Sequence, residues 1–575
     1  MKKHGKMFGY NGKILRIDLT KKKISSESLD KKEVIDYIGG RGIGIKKLYE
    51  NKRKIDPLSP ENLLIFMTGP LTGFTPFSAF YNLTTKSPLT GTCLSSHSGG
   101  LFGPELKFSG FDGIIIKGKS DKPCYILIDN EVEIRDASDL WGKDCKETTD
   151  ILEKEHRGKV VCIGQGGENL VRFASLMNDR DRALGRGGAG AVCGSKNLKA
   201  IVVRKNKRID TFMEIGDEFK KALEIVKVKS KNLKKYGTSS VIDITNSLGV
   251  LPTRNFNDGE FEYAESINGD SLLKNLVKKK ACFLCPIGCS NITKTDNIIT
   301  EGPEYETLCS FGSNIGNSDI KAIIRANDLC NRFGLDTISC GNTIAFAMEL
   351  SEKRMIDEKI EWGDMDTVFS LIEKIAKREG IGDLLSQGTK RVSEKVGGKE
   401  FAIHVKGMDL PAYDPRGSIG MALSYAISNR GACHLRSSAY AYELFTSEHD
   451  RFSYEKSKLV KELQEIMAVV DSLLLCKFGA RSAYGNSFEE FERLLKMATG
   501  MDFNTSKIGE RIIKLERLYN FEEGLSIKDD TLPERFFTEE TSRGYLIDKT
   551  KFKKMLDEYY KLCSWKDGKP IKKLR

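Results

Sequence analysis

Three cysteines fall within eight residues, Cys282-Phe-Leu-Cys285-Pro-Ile-Gly-Cys289, and this C-x2-C-x3-C spacing constrains the chain more than any other feature. Three thiolates on one short loop can bind three corners of an iron–sulfur cube, so a fourth ligand must come from elsewhere. A structural zinc site would usually repeat the C-x2-C pair or add paired histidines, and neither follows. A fourth thiol exists at Cys476, in Asp471-Ser-Leu-Leu-Leu-Cys476. The expectation is a [4Fe–4S] cluster on Cys282, Cys285, Cys289 and Cys476, with zinc or unligated thiols as the alternatives.

At 575 residues the chain exceeds one core, and ordinary domain sizes suggest three or four units. The start, MKKHGKMFGYNGKILRIDL, lacks the apolar run of a signal peptide, and no stretch approaches the roughly 20 apolar residues of a membrane span. Fourteen cysteines without an export signal read as reduced thiols or metal ligands, so a cytoplasmic protein is expected. Lys+Arg 92 against Asp+Glu 80 leaves a net charge of +12. That excess describes either a solvated lysine-rich surface or a face that docks an acidic protein such as a ferredoxin. Nucleic acid is not expected, because the basic residues are interleaved with acids and no recognition motif occurs.

Residues 1–209 read as β-rich: Gly12–Asp18, Gly113–Gly118, Cys124–Asp129 and Lys199–Arg204 are short apolar runs set off by glycine turns. From 210 onward, Asp319–Phe333, Asn342–Arg354, Asp366–Arg378, Tyr454–Asp471 and Ser487–Thr499 carry helical spacing. The predicted fold class is α+β, with a β-rich N-terminal domain (1–209) followed by two mainly helical domains. The first of these (210–417) holds the cysteine loop and the second (418–575) carries Cys476, with Pro411–Gly417 as the joint. Gly185-Arg-Gly-Gly-Ala-Gly190 matches G-x-G-x-x-G, but no strand is predicted before it and no βαβ unit around it, which argues against a dinucleotide fold. It reads instead as backbone approaching a bulky anionic cofactor, with Arg182 and Arg186 for phosphate, or as plain tight turns.

With these markers in order along the chain, the sequence resembles the tungsten-containing aldehyde:ferredoxin oxidoreductases. The resemblance rests on Gly69-Pro-Leu-Thr-Gly73, Thr85–Gly91, Gly99–Phe108, Gly185–Ala191, Gly194–Ala200, Gly302-Pro-Glu-Tyr-Glu-Thr307 and Asn429-Arg-Gly-Ala-Cys-His-Leu-Arg436, and it weakens after about residue 510. It implies tungsten or molybdenum held by the dithiolene sulfurs of two pterins, a magnesium ion bridging the pterin phosphates, and a neighbouring [4Fe–4S] cluster as the electron exit. Two pterin motifs of the type D-x-x-G-L-(D/C) correspond to Asn331–Asp336, which includes Leu335, and to Asp471–Cys476, which includes Leu475. Asp336 and Asp471 would accept hydrogen bonds from pterin N–H groups, although helix capping is the plain alternative for Asp336. Asn331 stands for an acid and Leu474 for a glycine. Arg182 and the backbone of Ala183 match positions that hold phosphate and magnesium, and His97 would supply a backbone carbonyl to that ion. Gly99, Gly185 and Arg436 fall within the matching cofactor-binding segments. Phe80 stands where the family usually has an arginine between phosphate and cluster.

The resemblance also implies chemistry. Glu306 is the expected general base, if burial raises its pKa, and His434 the expected donor to the carbonyl oxygen. Glu304 is the competing base. The resulting expectation is aldehyde oxidation to a carboxylic acid, with electrons passing to ferredoxin or an iron–sulfur partner subunit. The alternatives are a benzoyl-CoA reductase-like catalytic subunit using the same cofactor and a non-catalytic electron-transfer subunit. With six histidines and no E-x-x-H motif recognised, a homodimer is expected to lack a bridging iron.

Overall fold

The computed structural model describes residues 7–205, 216–446 and 448–571. His4 and the expected boundary at 209/210 lie outside the described residues.

Two six-stranded mixed sheets are built from strands between Lys13 and Val203. The first runs in the order Lys23–Ser28, Lys13–Asp18, Gly113–Lys117, Leu64–Met67, Tyr81–Lys86, Cys93–Ser98. The second runs Arg182–Leu184, Leu176–Asn178, Lys159–Cys162, Leu198–Val203, Cys124–Ile128, Val132–Asp136. Successive side chains of a strand point to opposite faces, and here both faces are used. In Leu64–Met67, Leu64 and Phe66 enter the apolar layer shared with Ile126, Val161 and Ile201 of the second sheet. Ile65 and Met67 enter the opposite layer, shared with Val469, Leu473 and Ile512 of the helical region. The first sheet is therefore sandwiched, which explains why its central strand is an unbroken apolar run.

The helices of the second half follow the predicted segments, with bounds set by caps. Asp319 accepts from Lys321 N to open Ile320–Phe333, and Gly334, at φ 69°, closes it. Met365–Lys377, Ser457–Leu473 and Phe488–Thr499 likewise fall on their expected stretches.

Three departures matter. Strands and helices are less segregated than expected: the N-terminal region contains Gly40–Glu50 and Cys145–His156 as helices, and the second region contains a three-stranded sheet, Leu276–Lys280, Ser290–Thr295 and Ile298–Glu301. The cysteine loop is the connection between the first two of those strands. Pro411–Gly417 is buried throughout, and one apolar core runs across it from Ile242 to Tyr560. The units 210–417 and 418–575 thus stay proposals about organisation, with a continuous core between them. Finally, a strand does precede the Gly185–Gly190 cluster, Arg182–Leu184, and the helix Ala189–Ser195 follows it. That strand is an antiparallel edge partner of Leu176–Asn178, so no parallel βαβ crossover is formed.

Candidate active site

Two adjoining cavities, of about 350 and about 550 Å³, lie between the sheets and the helices. Every site residue predicted from the sequence lines one or both. Gly99, Arg182, Cys282, Cys285, Cys289, Asn331 and Leu335 face the smaller. Gly185, His434, Arg436, Asp471 and Leu475 face the larger. His97, Ala183, Glu306, Asp336 and Cys476 face both, as do Phe80 and Glu304.

The smaller cavity carries the four thiols. Cys282, Cys285 and Cys289 come from the hairpin loop, and Cys476 is the N-cap of the helix Lys477–Tyr484, its N–H donating to Phe77 O at 2.6 Å. Burial pushes the Cys476 thiol up to about 12, and burial with the surrounding sulfurs raises Cys285 and Cys289 as well. Gly99 permits their packing: a Cβ there would meet Cys282 Sγ at 2.9 Å and the Phe80 ring at 3.1 Å. Arg182 Nη1 donates to Cys282 Sγ at 2.6 Å, while its Nη2 sits 2.8 Å from Glu301 Oε1. A cation therefore touches one of the four cysteines despite Phe80, from a strand that the sequence resemblance assigns to phosphate and magnesium. Among the described residues no three His, Cys, Asp or Glu side chains converge where a single metal ion could sit.

The larger cavity holds the candidate acid–base pair. Glu304 is the N-cap position of the short helix Tyr305–Ser310, and Glu306 lies in its first turn. Glu306 Oε2 accepts from Ala412 N at 2.9 Å, whereas Oε1, 3.5 Å from His434 Nε2, has no hydrogen bond. Burial, partly offset by the Ala412 N–H and Arg186, pushes the Glu306 carboxyl up to about 7. Burial also holds His434 well below its usual value, reinforced by Arg186, Lys477 and Arg430, so the ring is neutral at pH 7. Its Nδ1 is buried without a partner. Glu304 is raised by burial too, but its carboxylate accepts from the Thr238 hydroxyl and its charge acts on Cys289. Geometry thus separates the two acids: Glu306 faces the imidazole and Glu304 the thiols.

The second pterin-type motif is more heavily engaged than expected. Asp471 Oδ2 accepts from Arg436 at 2.6 Å and Arg41 at 3.2 Å, and Oδ1 lies 3.0 Å from Lys477 Nζ. Although burial alone would raise it, these cations and His97 hold Asp471 far below the carboxylate range. Leu474 takes φ 60°, the left-handed region a glycine would occupy without strain. Its side chain is buried where a Cβ on Gly40 would collide at 2.9 Å. Asp336 does cap its helix, accepting from Ser339 N at 3.1 Å, and it also faces both cavities. Of the 185–190 glycines, Gly188 and Gly190 are packing devices, with Cβ positions 2.0 Å from Arg172 O and 2.6 Å from Ser175 O. A Cβ at Gly185 would make only ordinary contacts, 3.7 Å from Ala183 Cβ and 3.8 Å from Asp336 Oδ1.

The sequence reading missed several groups. Arg41 sits in the Gly39–Gly44 cluster and donates to Glu516 at 2.7 and 2.8 Å. Cys433 receives Arg430 Nη2 at 2.9 Å; burial alone would raise its thiol, but Arg430, Arg436, Arg186 and Lys477 drive it down to about 6. Tyr413 and Tyr440 stack at 4.3 Å beside His434. Cys433 and Arg430 could have been found within the Asn429–Arg436 segment, whereas the tyrosines carry no sequence signal. One E-x-x-H spacing was also overlooked, Glu153-Lys-Glu-His156, so the no-iron expectation loses its motif argument. His156 Nε2 there lies 3.0 Å from the Tyr125 hydroxyl.

Residues 14–205 match the family model for the aldehyde ferredoxin oxidoreductase N-terminal domain, and residues 214–574 match that for domains 2 and 3 of the same enzymes. A tungsten-containing aldehyde ferredoxin oxidoreductase of Pyrococcus horikoshii is 45% identical, covering 99% of each chain. One from Pyrococcus furiosus is 44% identical, over 99% of this chain and 98% of the relative. Among solved structures, the active-site complex of a benzoyl-coenzyme A reductase with 1,5-dienoyl-CoA matches with a TM-score of 0.85 at 25% identity, over 99% of this chain and 96% of that one. Two matched family models spanning nearly all of the chain, and relatives similar end to end, show that it belongs to the aldehyde ferredoxin oxidoreductase family.

Proposed function

We propose that this chain oxidises aldehydes to carboxylic acids at a tungsten bis-pterin centre, and that electrons leave through a [4Fe–4S] cluster to ferredoxin or an iron–sulfur partner. The observation that carries the reading is the buried Glu306–His434 pair facing one side of a cavity system whose other side is lined by four thiols.

The residues fit such a cofactor. Arg182 Nε, Arg186 Nε, Arg430 Nε, Glu306 Oε1 and His434 Nδ1 are all buried without hydrogen-bond partners, an arrangement that a large polar ligand would relieve. Four thiols around a cavity, with no single convergence point, suit a polynuclear cluster better than one zinc ion, whose Zn–S bonds of about 2.3 Å demand close convergence. On the family resemblance, Ala183 and the carbonyl of His97 would hold a magnesium ion and Arg182 a phosphate; Arg430, Arg436 and Lys477 add further positive charge to the lining of the larger cavity.

When bound, the metal–pterin centre supplies two-electron oxidation and the cluster releases those electrons one at a time. Forming an acid from an aldehyde and water also releases two protons, and these fall to the protein. Glu306 Oε1 is the free acceptor, its partner oxygen being fixed by Ala412 N–H. At a pKa near 7 it both takes and returns a proton near neutrality. Neutral His434 offers an N–H to a carbonyl oxygen as charge develops there, without the cost of burying an imidazolium. Tyr413, Tyr440, Phe445 and Val241 form a largely apolar wall, which fits an apolar aldehyde and keeps bulk water from the pair.

The test is anaerobic purification followed by tungsten, iron and sulfide analysis and an aldehyde panel with viologen as acceptor. Expected are one tungsten, one cluster and aldehyde-dependent reduction. Full metal content with benzoyl-CoA but no aldehyde as substrate would transfer the assignment to the thioester reductases that share this fold.

A further inference from the structure

A surface remains that this chemistry does not use. Residues 227–235 (Lys-Val-Lys-Ser-Lys-Asn-Leu-Lys-Lys) and 274–281 (Lys-Asn-Leu-Val-Lys-Lys-Lys-Ala) hold nine lysines and no acid, in a chain whose acids otherwise nearly match its bases. The fold brings them together. The first stretch ends the helix Gly216–Lys229 and enters Lys231–Tyr236; the second is the strand Leu276–Lys280 that leads into the cysteine loop. Lys279 Nζ donates to Asn291 Oδ1 at 2.6 Å and lies within 3.4 Å of Lys235 O and 3.5 Å of Cys289 O. Asn291 Nδ2 in turn donates to Tyr236 O at 2.9 Å. The lysine helix is thereby tied to the backbone of a thiol-bearing residue. Lys227, Lys229, Lys231, Lys234, Lys274 and Lys278 are exposed. Beside them the cysteine loop reaches solvent itself, with Leu284 44% exposed, and Val277 and Val228 are 51% and 70% exposed.

We propose that this lysine field around the cysteine loop, Lys227–Lys235 with Lys274–Lys280, is the docking surface for an acidic one-electron iron–sulfur carrier protein. The proposal rests on the electron-exit role assigned to the thiol-lined cavity. Charge complementarity identifies the occupant: a positive field steers an acidic protein, and the exposed Val228 and Val277 among these lysines give the brief close contact that electron transfer needs. Cys282, Cys285 and Cys289 on this loop are themselves only partly buried, so an acceptor docked here lies against the loop that carries three of the thiols.

Holoenzyme carrying Lys231→Glu, Lys234→Glu and Lys235→Glu, and a companion with Gln at the same positions, tests it with a bacterial two-cluster ferredoxin of net negative charge. At about 50 mM salt the Glu variant should lose at least about tenfold in kcat/KM for ferredoxin and the Gln variant less, with both gaps closing toward about 0.5 M salt as charges are screened. Aldehyde turnover with methyl viologen should stay unchanged in both. If the Glu variant loses viologen turnover as well, the Gln variant decides. Equal ferredoxin kcat/KM in wild type and the deciding variant overturns the proposal. So does an equal loss from reversing Lys553, Lys554 and Lys561 on the helix Lys549–Leu562, which would make the effect one of net charge. Direct titration of the proteins with ferredoxin gives the same comparison without catalysis. A wild type that binds ferredoxin through these lysines but oxidises no aldehyde therefore sinks the function and leaves the surface standing.

Discussion

The two cavities share walls but differ in almost every physical respect. The thiol end sits behind a solvent-reaching loop, is edged by lysines, and places a guanidinium directly on a sulfur. The Glu306–His434 end is lined by aromatic rings and has a neutral imidazole facing a carboxyl poised near neutrality. On the proposed function, one end serves charge that must leave the molecule and the other serves protons that must move a short way between Glu306 and the substrate. The lesson is that Glu304 and Glu306, two residues apart and both facing both cavities, are divided by their partners: the Thr238 hydroxyl and the Cys289 thiol for one, the Ala412 N–H and the His434 ring for the other.

Breaking the thiol end should have the largest effect. Cys476→Ser keeps the helix N-cap position but removes the thiol it presents to the cavity, so on the four-thiol proposal the cluster should be lost or labile and turnover with it. Iron and sulfide content with the electron paramagnetic resonance spectrum measures this, and wild-type values would refute the four-thiol assignment. Next comes the proton end. Glu306→Gln should keep metal and cluster yet lower kcat by at least about a hundredfold, the usual contribution of a positioned acid–base group. Near-normal turnover would pass the base role to Glu304. His434→Asn should also lower kcat, by up to about a hundredfold for loss of one donor, with the cluster spectrum intact. A changed spectrum would mean that the two ends are not separable in the way their geometry suggests.

The smallest effect is in pH. A base must be deprotonated, so kcat should rise with pH and level off above about 7, falling tenfold per unit below it. Neutral His434 adds no second limb in this range. Stability runs the other way. A carboxyl raised from 4.5 to about 7 by folding contributes fully below its unfolded value and loses that contribution as pH rises through about 7. Glu306→Gln should therefore stabilise the cofactor-free protein above pH 7 by about 3 kcal/mol, at 1.36 kcal/mol per unit, and not at pH 4. A flat pH–rate profile would show that Glu306 lies at its ordinary value.

Much of this site was readable from the sequence because its chemistry is carried by short spacings: three cysteines in eight residues, Glu306 after a Gly-Pro, His434 within Asn429–Arg436. What escaped was long-range or locally disguised. Arg41 meets Asp471 and Glu516 across more than 400 residues, and nothing near residue 41 announces a buried ion pair. The strand Leu276–Lys280 reads as a charged loop, because its inward positions are few and its lysines dominate. Arg182–Leu184 is a three-residue edge strand, too short to show alternation. The helix Gly40–Glu50 was hidden by its glycines. Those residues are there because a Cβ on Gly42 would meet Tyr37 O at 2.1 Å and one on Gly44 would meet Thr84 Oγ1 at 2.3 Å. Propensity argued against a helix at the point where close packing demanded one.

The hairpin that carries the thiols bears a further consequence. Ser290–Thr295, which follows directly on Cys289, pairs with Ile298–Glu301, and the chain then runs straight into Gly302 and the turn bearing Glu306. The base is thus hung from the same hairpin that the sulfurs pin down. On the four-thiol proposal, a cluster bound by Cys282, Cys285 and Cys289 would fix one end of the hairpin whose other end leads to Glu306, so its loss should be felt at the carboxyl as well as at the thiols.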